Sequence, residues 1–136
     1  MNALIDRGKP IRHEYIVQGH YDTESGSLAM KQLLALEEPP TAVFCSNDDM
    51  AIGAMNAVFE NGLKVPEDIS IIGFDDIGFS MYTTPPLTTV KRPIEQISER
   101  GAACILERIQ SPSNEGELIF METALMKRKS TADRLR

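Results

Sequence analysis

The stretch from Thr41 to Asp76 constrains the fold more than any other part of the chain. Residues 41–45 (TAVFC) are an apolar run without alternation, as expected of a parallel strand buried on both faces. Ser46, Asn47, Asp48 and Asp49 follow at once. Asn47 or Asp48 can cap a helix by accepting a hydrogen bond from its unpaired first-turn N–H groups. Ile52, Met55, Val58 and Phe59 then recur at helical spacing and give that helix one apolar face. Gly62 ends it, because glycine takes the left-handed conformation a helix stop requires. Beyond a turn at Val65 to Asp68, Ile69 to Ile72 reads as a second strand closing on Gly73, Phe74, Asp75 and Asp76. A strand–helix–strand unit of this length is a right-handed crossover between parallel strands. Both polar clusters then fall at the carboxyl edge of the sheet, where open parallel sheets bind their ligands.

The flanking sequence extends the pattern. Tyr15 to Val17 reads as a strand, and the polar loop 18–26 leads into a helix capped by Asp22 or Thr23. Met30, Leu33 and Leu34 form its buried stripe, and Pro39 and Pro40 stop it. The expectation is three consecutive parallel strands between Tyr15 and Ile72. Leu87 to Val90 is a β-branched strand; Ile94, Ile97, Gly101, Ile105 and Ile109 mark one side of a helix over 94–110. A loop over 111–116, a strand within 117–126 and a basic tail over 127–136 complete the chain. Ala3 to Gly8 reads as the last turn of a helix, so the chain is expected to begin inside an element whose start is missing. The fold class is α/β, a parallel sheet flanked by helices.

Bulk properties narrow the function. A length of 136 residues suggests one domain, and 42% hydrophobic with 25% charged residues is ordinary for a soluble globular chain. A net charge of −6 argues against this chain gripping a nucleic-acid backbone by itself. No run approaches the length of a membrane span or resembles a signal peptide. Cys45 and Cys104 have no metal-ligand spacing and read as buried thiols in a reducing compartment, so cytoplasm is the expected location, with no metal and no cofactor.

Several ordered features resemble the effector-binding domain of the lac-repressor/galactose-repressor family of bacterial transcription regulators. They are Phe44 with Asn47 and Asp48; Ala51, Gly53 and Ala54; Gly62; Val65 and Pro66; Asp68 to Ser70; and Ile72 to Asp76. Pro85 to Thr89 and Lys127 to Thr131 continue the match, over about ninety residues in all. The resemblance implies the C-terminal lobe of a two-lobed, periplasmic-binding-protein-like domain, made of residues 15–93 and 117–131. It implies that the helix over 94–110 belongs with an N-terminal lobe this chain lacks, and that DNA is reached only through a separate N-terminal domain. The family is not enzymatic. Its members bind a small effector, often a sugar, and act as homodimers.

The resemblance also assigns residues. Asp75 is implied to receive ligand hydroxyls, a task that suits a carboxylate because charge-assisted bonds are the stronger ones; its competing role is to cap a turn. Asn47 offers donor and acceptor together, against a competing role as helix cap. Tyr21 is implied to stack on the ligand, against simply covering the core edge. His20 stands where relatives commonly carry an acid, so this loop departs from the family pattern. Dimer contacts are implied at Met50, Ala54 and Ala57 and along Phe79, Met81 and Tyr82. Half a cleft is expected to bind effector weakly or not at all, and the 94–109 face to self-associate, move or disorder. Two rival readings are a periplasmic sugar-binding transport protein and a magnesium-dependent receiver or phosphatase, the latter suggested by acidic pairs at two strand ends with Lys91 after a third.

Overall fold

The structure, a computed structural model, describes residues 2–111 and 116–133, with Asn2 described for its backbone alone. Part of the loop expected over 111–116 and the end of the basic tail lie outside these residues. The elements are α1 (Asn2–Ile5), a single 3₁₀ turn (His13–Tyr15), α2 (Thr23–Leu34), β1 (Ala42–Phe44), α3 (Asp48–Glu60), β2 (Ser70–Asp75), β3 (Thr88–Lys91), α4 (Ile94–Gln110) and β4 (Ala124–Met126). They build a four-stranded sheet in the order β1-β2-β3-β4. The first two pairings are parallel and β3 to β4 is antiparallel.

Local chemistry sets the helix bounds. The Asp22 carboxylate accepts from Ser25 N at 2.7 Å and starts α2; the Asn47 side-chain oxygen accepts from Met50 N at 3.0 Å and starts α3. Helix α3 ends in paired reverse bonds, Gly62 N to Phe59 O and Leu63 N to Val58 O, with Gly62 at φ 72°. Helices α2 and α3 pack along each other, and α3 lies on β2. The core between them holds Met30, Leu33, Met55, Val58, Ile69, Ile71 and Leu87. Two glycines set the helix separation. A Cβ at Gly53 would overlap the carbonyl oxygen of Thr23, and one at Gly26 would overlap the backbone of Met50.

Three expectations are corrected. Tyr15 to Val17 forms no strand, because the N–H groups of Tyr15 and Ile16 are spent on the 3₁₀ turn, donating to Arg12 O and His13 O. Tyr15 and Val17 still pack against the core. The third parallel strand is therefore β3. Strand β1 is not buried on both faces: Val43 is half-buried against the core and Phe44 is exposed, because β1 lies at the sheet edge. Met50, Ala54 and Ala57 cannot present a dimer surface, being 7%, 2% and 0% exposed. The close approach at Gly26 and Gly53 turns that side of α3 inward toward α2.

Helix α4 spans the expected residues but buries none of them, and Ile97, Ile105, Leu106 and Ile109 are exposed. The segment after β4 is held tightly instead. Ser130 is fully buried between β2 and β3, where its hydroxyl donates to Ile71 O at 2.6 Å and accepts from Thr88 N at 2.8 Å. Its carbonyl oxygen accepts from Ile71 N at 2.8 Å.

Candidate functional site

At their carboxyl ends β1 and β2 run side by side, Phe44 paired with Ile72, and the Cys45 N–H donates to Ile72 O. Asn47 lies three residues past the end of β1, and Asp75 is the last residue of β2. The two thus stand at one edge of adjacent parallel strands. Tyr21 joins them from the loop before α2, since the Asn47 amide donates to Tyr21 O at 2.9 Å. The three residues implied by the sequence are brought to one rim. Tyr21 is 67% exposed, while Asn47 and Asp75 are half-buried.

Among the described non-glycine residues, three have positive φ: Tyr21 at 63°, Asp75 at 115° and Asp76 at 57°. Side chains with a Cβ adopt this region at a cost of about 1–3 kcal/mol each, and such residues cluster at binding sites. All three lie at this rim.

Asn47 is the helix cap after all. Its oxygen takes Met50 N and one amide hydrogen goes to Tyr21 O, leaving one N–H and one lone pair for anything else. Asp48, a candidate cap in the sequence, is fully buried instead. Its two oxygens accept from the Thr89 hydroxyl at 2.5 Å and from Ile77 N at 2.9 Å. Burial raises its pKa above the ordinary aspartate range, against the lowering effect of those two hydrogen bonds; the neighbouring Asp75 and Asp76 charges raise it further. Burial likewise pushes the Cys45 thiol up to about 12, with Asp48 adding to the effect, so it stays protonated.

The raised Asp48 value has a sign that can be tested. A carboxyl group whose folded-state pKa exceeds its unfolded value, near 3.9, favours folding while protonated. That contribution is complete below the unfolded value and is lost as pH rises through the folded one. Wild type is therefore expected to lose stability relative to Asp48→Asn as pH rises through that window. Urea denaturation of both proteins across it checks this; parallel pH curves would refute it.

Two arginines that the sequence does not assign to the site reach its aspartates. Arg92, just past β3, places its buried Nε 2.6 Å from Asp75 Oδ1, without the alignment of a hydrogen bond, so the contact is an ion pair. Its guanidinium also lies 5.9 Å from the Phe74 ring centroid. With side chains 41% and 23% exposed, the pair contributes at most about 1 kcal/mol. The strand register is the signal that finds it, since Asp75 pairs with Lys91 and Arg92 is next. Arg128 is more enclosed: it bonds Asp76 Oδ1 at 2.6 Å, Leu87 O at 2.7 Å and Ser80 Oγ at 3.2 Å. The Lys127–Thr131 run, expected as part of a basic tail, is a staple across the sheet. Phe79, Met81 and Tyr82 are 60%, 51% and 73% exposed in the loop beyond Asp76. Among the described residues no cluster of His, Cys, Asp and Glu could hold a metal, and no helix is long and apolar enough to cross a membrane.

An open α/β sheet with its polar residues at one strand edge is the architecture of periplasmic-binding-protein-like domains. Residues 3–131 match the periplasmic binding protein-like domain family, and the chain belongs to that family; it is similar to LacI-type transcription regulators. It is 62% identical over 130 residues to a Bacillus subtilis (strain 168) protein named "Probable HTH-type transcriptional repressor ExuR", covering 96% of this chain and 39% of the relative. A complex of the transcriptional regulator CelR with cellobiose superposes with a TM-score of 0.90 at 31% identity, covering 95% of this chain and 39% of that one. A LacI family transcriptional regulator from Enterococcus faecium with bound ribose gives 0.85 at 34% identity, covering 96% and 48%. The chain thus spans about two fifths of the length of the curated relatives it matches. Those relatives are named as transcriptional repressors.

Proposed function

We propose that this chain forms one wall of the effector cleft of a cytoplasmic transcriptional repressor, and that the effector is a sugar. The observation that carries the reading is the rim itself. Tyr21 and Asp75 hold strained backbone conformations at one strand edge, with Asn47 tying the Tyr21 loop to it. Asp75 accepts ligand hydroxyls, Tyr21 offers an aromatic face to the apolar side of a sugar ring, and Asn47 supplies its remaining N–H and lone pair. Arg92 shares Asp75, so a ligand bonding that carboxylate also meets the guanidinium. The sugars bound to the CelR and Enterococcus faecium regulators support this class of ligand.

In this reading residues 15–93 and 117–131 form the lobe, and α4 serves the facing lobe, in keeping with its uncovered isoleucine side. The exposed Phe79, Met81 and Tyr82 belong to a homodimer contact, and DNA is bound by a separate domain. An effector that prefers one lobe orientation shifts the repressor only by its difference in affinity between the two states. The test is calorimetric titration of the complete repressor with a panel of mono- and disaccharides. The Asp75→Ala variant is expected to bind the active sugar about 10- to 100-fold more weakly, the loss of one charge-assisted contact. An unchanged Kd would remove Asp75 from the site.

A further inference from the structure

Asn47 and Asp48 are adjacent, and each fastens a different strained segment of the rim. Asn47 donates to the carbonyl of Tyr21, whose φ is 63°. Asp48 reaches the other side, where Asp75 and Asp76 are two consecutive residues at positive φ. One Asp48 oxygen takes the N–H of Ile77 at 2.9 Å, immediately after that pair. The other takes the Thr89 hydroxyl at 2.5 Å, and the Thr89 oxygen lies 3.4 Å from the N–H of Asp76. The peptide groups following both strained aspartates are therefore held, directly or through Thr89, by one fully buried carboxylate. Gly73 packs against that carboxylate so closely that a Cβ there would overlap it. Arg128 and Ser80 hold only the side chain of Asp76, not its backbone.

We infer that Asn47–Asp48 is a positioning pair that fixes Tyr21 and Asp75 relative to each other, each residue holding one of them. The inference rests on the proposed roles of Tyr21 and Asp75 as ligand contacts. Its geometric content does not depend on any ligand. Because both residues open α3, the packing of that helix on α2 and β2 becomes the common base for the two sides of the rim.

The experiment is NMR on this chain without ligand, reading three-bond HN–Hα couplings at residues 21, 75 and 76, which report φ, together with amide exchange. Asp48→Ala is expected to change the couplings at Asp75 and Asp76 and to speed exchange at Ile77 about tenfold beyond any change at Ile71 and Val58. Tyr21 should not respond. Asn47→Asp keeps the helix cap but removes the amide donor, and is expected to change the Tyr21 coupling alone. Asp48→Asn, which can still accept from Ile77 N, should restore the Ile77 protection lost in Asp48→Ala. If Asp48→Ala does not fold, Thr89→Val removes the bridge to Asp76 N and is expected to alter the Asp76 coupling. Couplings that stay at wild-type values, or exchange that rises equally across the core, would overturn the inference. Because no ligand is present, that failure would leave the effector reading to its own titration.

Discussion

Replacing Gly53 by alanine is expected to lower the unfolding free energy by roughly 3 kcal/mol, an overpacking cost set against backbone atoms. The added methyl would collide with the Thr23 carbonyl and press on Ser27 N, and neither can swing aside as a flexible side chain would. The sign makes the test sharp. Alanine is the better helix former by about 1 kcal/mol, so an unobstructed helical glycine gains from the same change. Gly101 in α4 is such a position, with nothing within 4 Å of where a methyl would stand, and Gly101→Ala is expected to stabilise. Urea midpoints of the two variants should move in opposite directions. If Gly53→Ala also stabilised, the close α2–α3 crossing would not exist in solution.

Ser130→Ala is the second large effect expected, a loss of about 2–4 kcal/mol. The hydroxyl satisfies Ile71 O and Thr88 N where no water reaches, both residues being nearly or wholly buried. Removing it leaves an acceptor and a donor unpaired, which costs more than the net value of the bonds themselves. Thr131→Ala is the control, since its hydroxyl meets Thr88 Oγ1 at 3.2 Å in a partly buried setting. It should cost under about 1 kcal/mol. A Ser130→Ala midpoint equal to that of Thr131→Ala would show that the seam admits water.

What the sequence makes legible follows the range of the interactions involved. The start of α3 near Asn47, its stop at Gly62 and the placing of Asn47 and Asp75 at one strand edge depend on short-range signals or on the parallel crossover rule, whereas Tyr21 comes from the family resemblance alone. Those agree with the structure. The inward turn of Met50, Ala54 and Ala57 depends on two glycines in different helices meeting, and periodicity within one helix does not carry that information. Asp48 misleads for a related reason. A carboxylate at a helix start reads as a surface cap, and its burial is determined by Thr89 and Ile77, which are 41 and 29 residues away. Arg92 escapes notice because an arginine after a strand is usually solvated, and only the strand register places it against Asp75.

The Ser130 seam bears on the order of assembly. Its bonds to Ile71 and Thr88 span 59 and 42 residues, so the middle of the sheet cannot be sealed until synthesis has passed α4. Contacts of such long sequence separation form late, and unpaired strand groups are exposed to other chains meanwhile. A nascent chain still on the ribosome therefore carries unpaired polar groups at Ile71 and Thr88, where the β2–β3 pairing begins, an interval in which a chaperone or a neighbouring nascent chain can reach them.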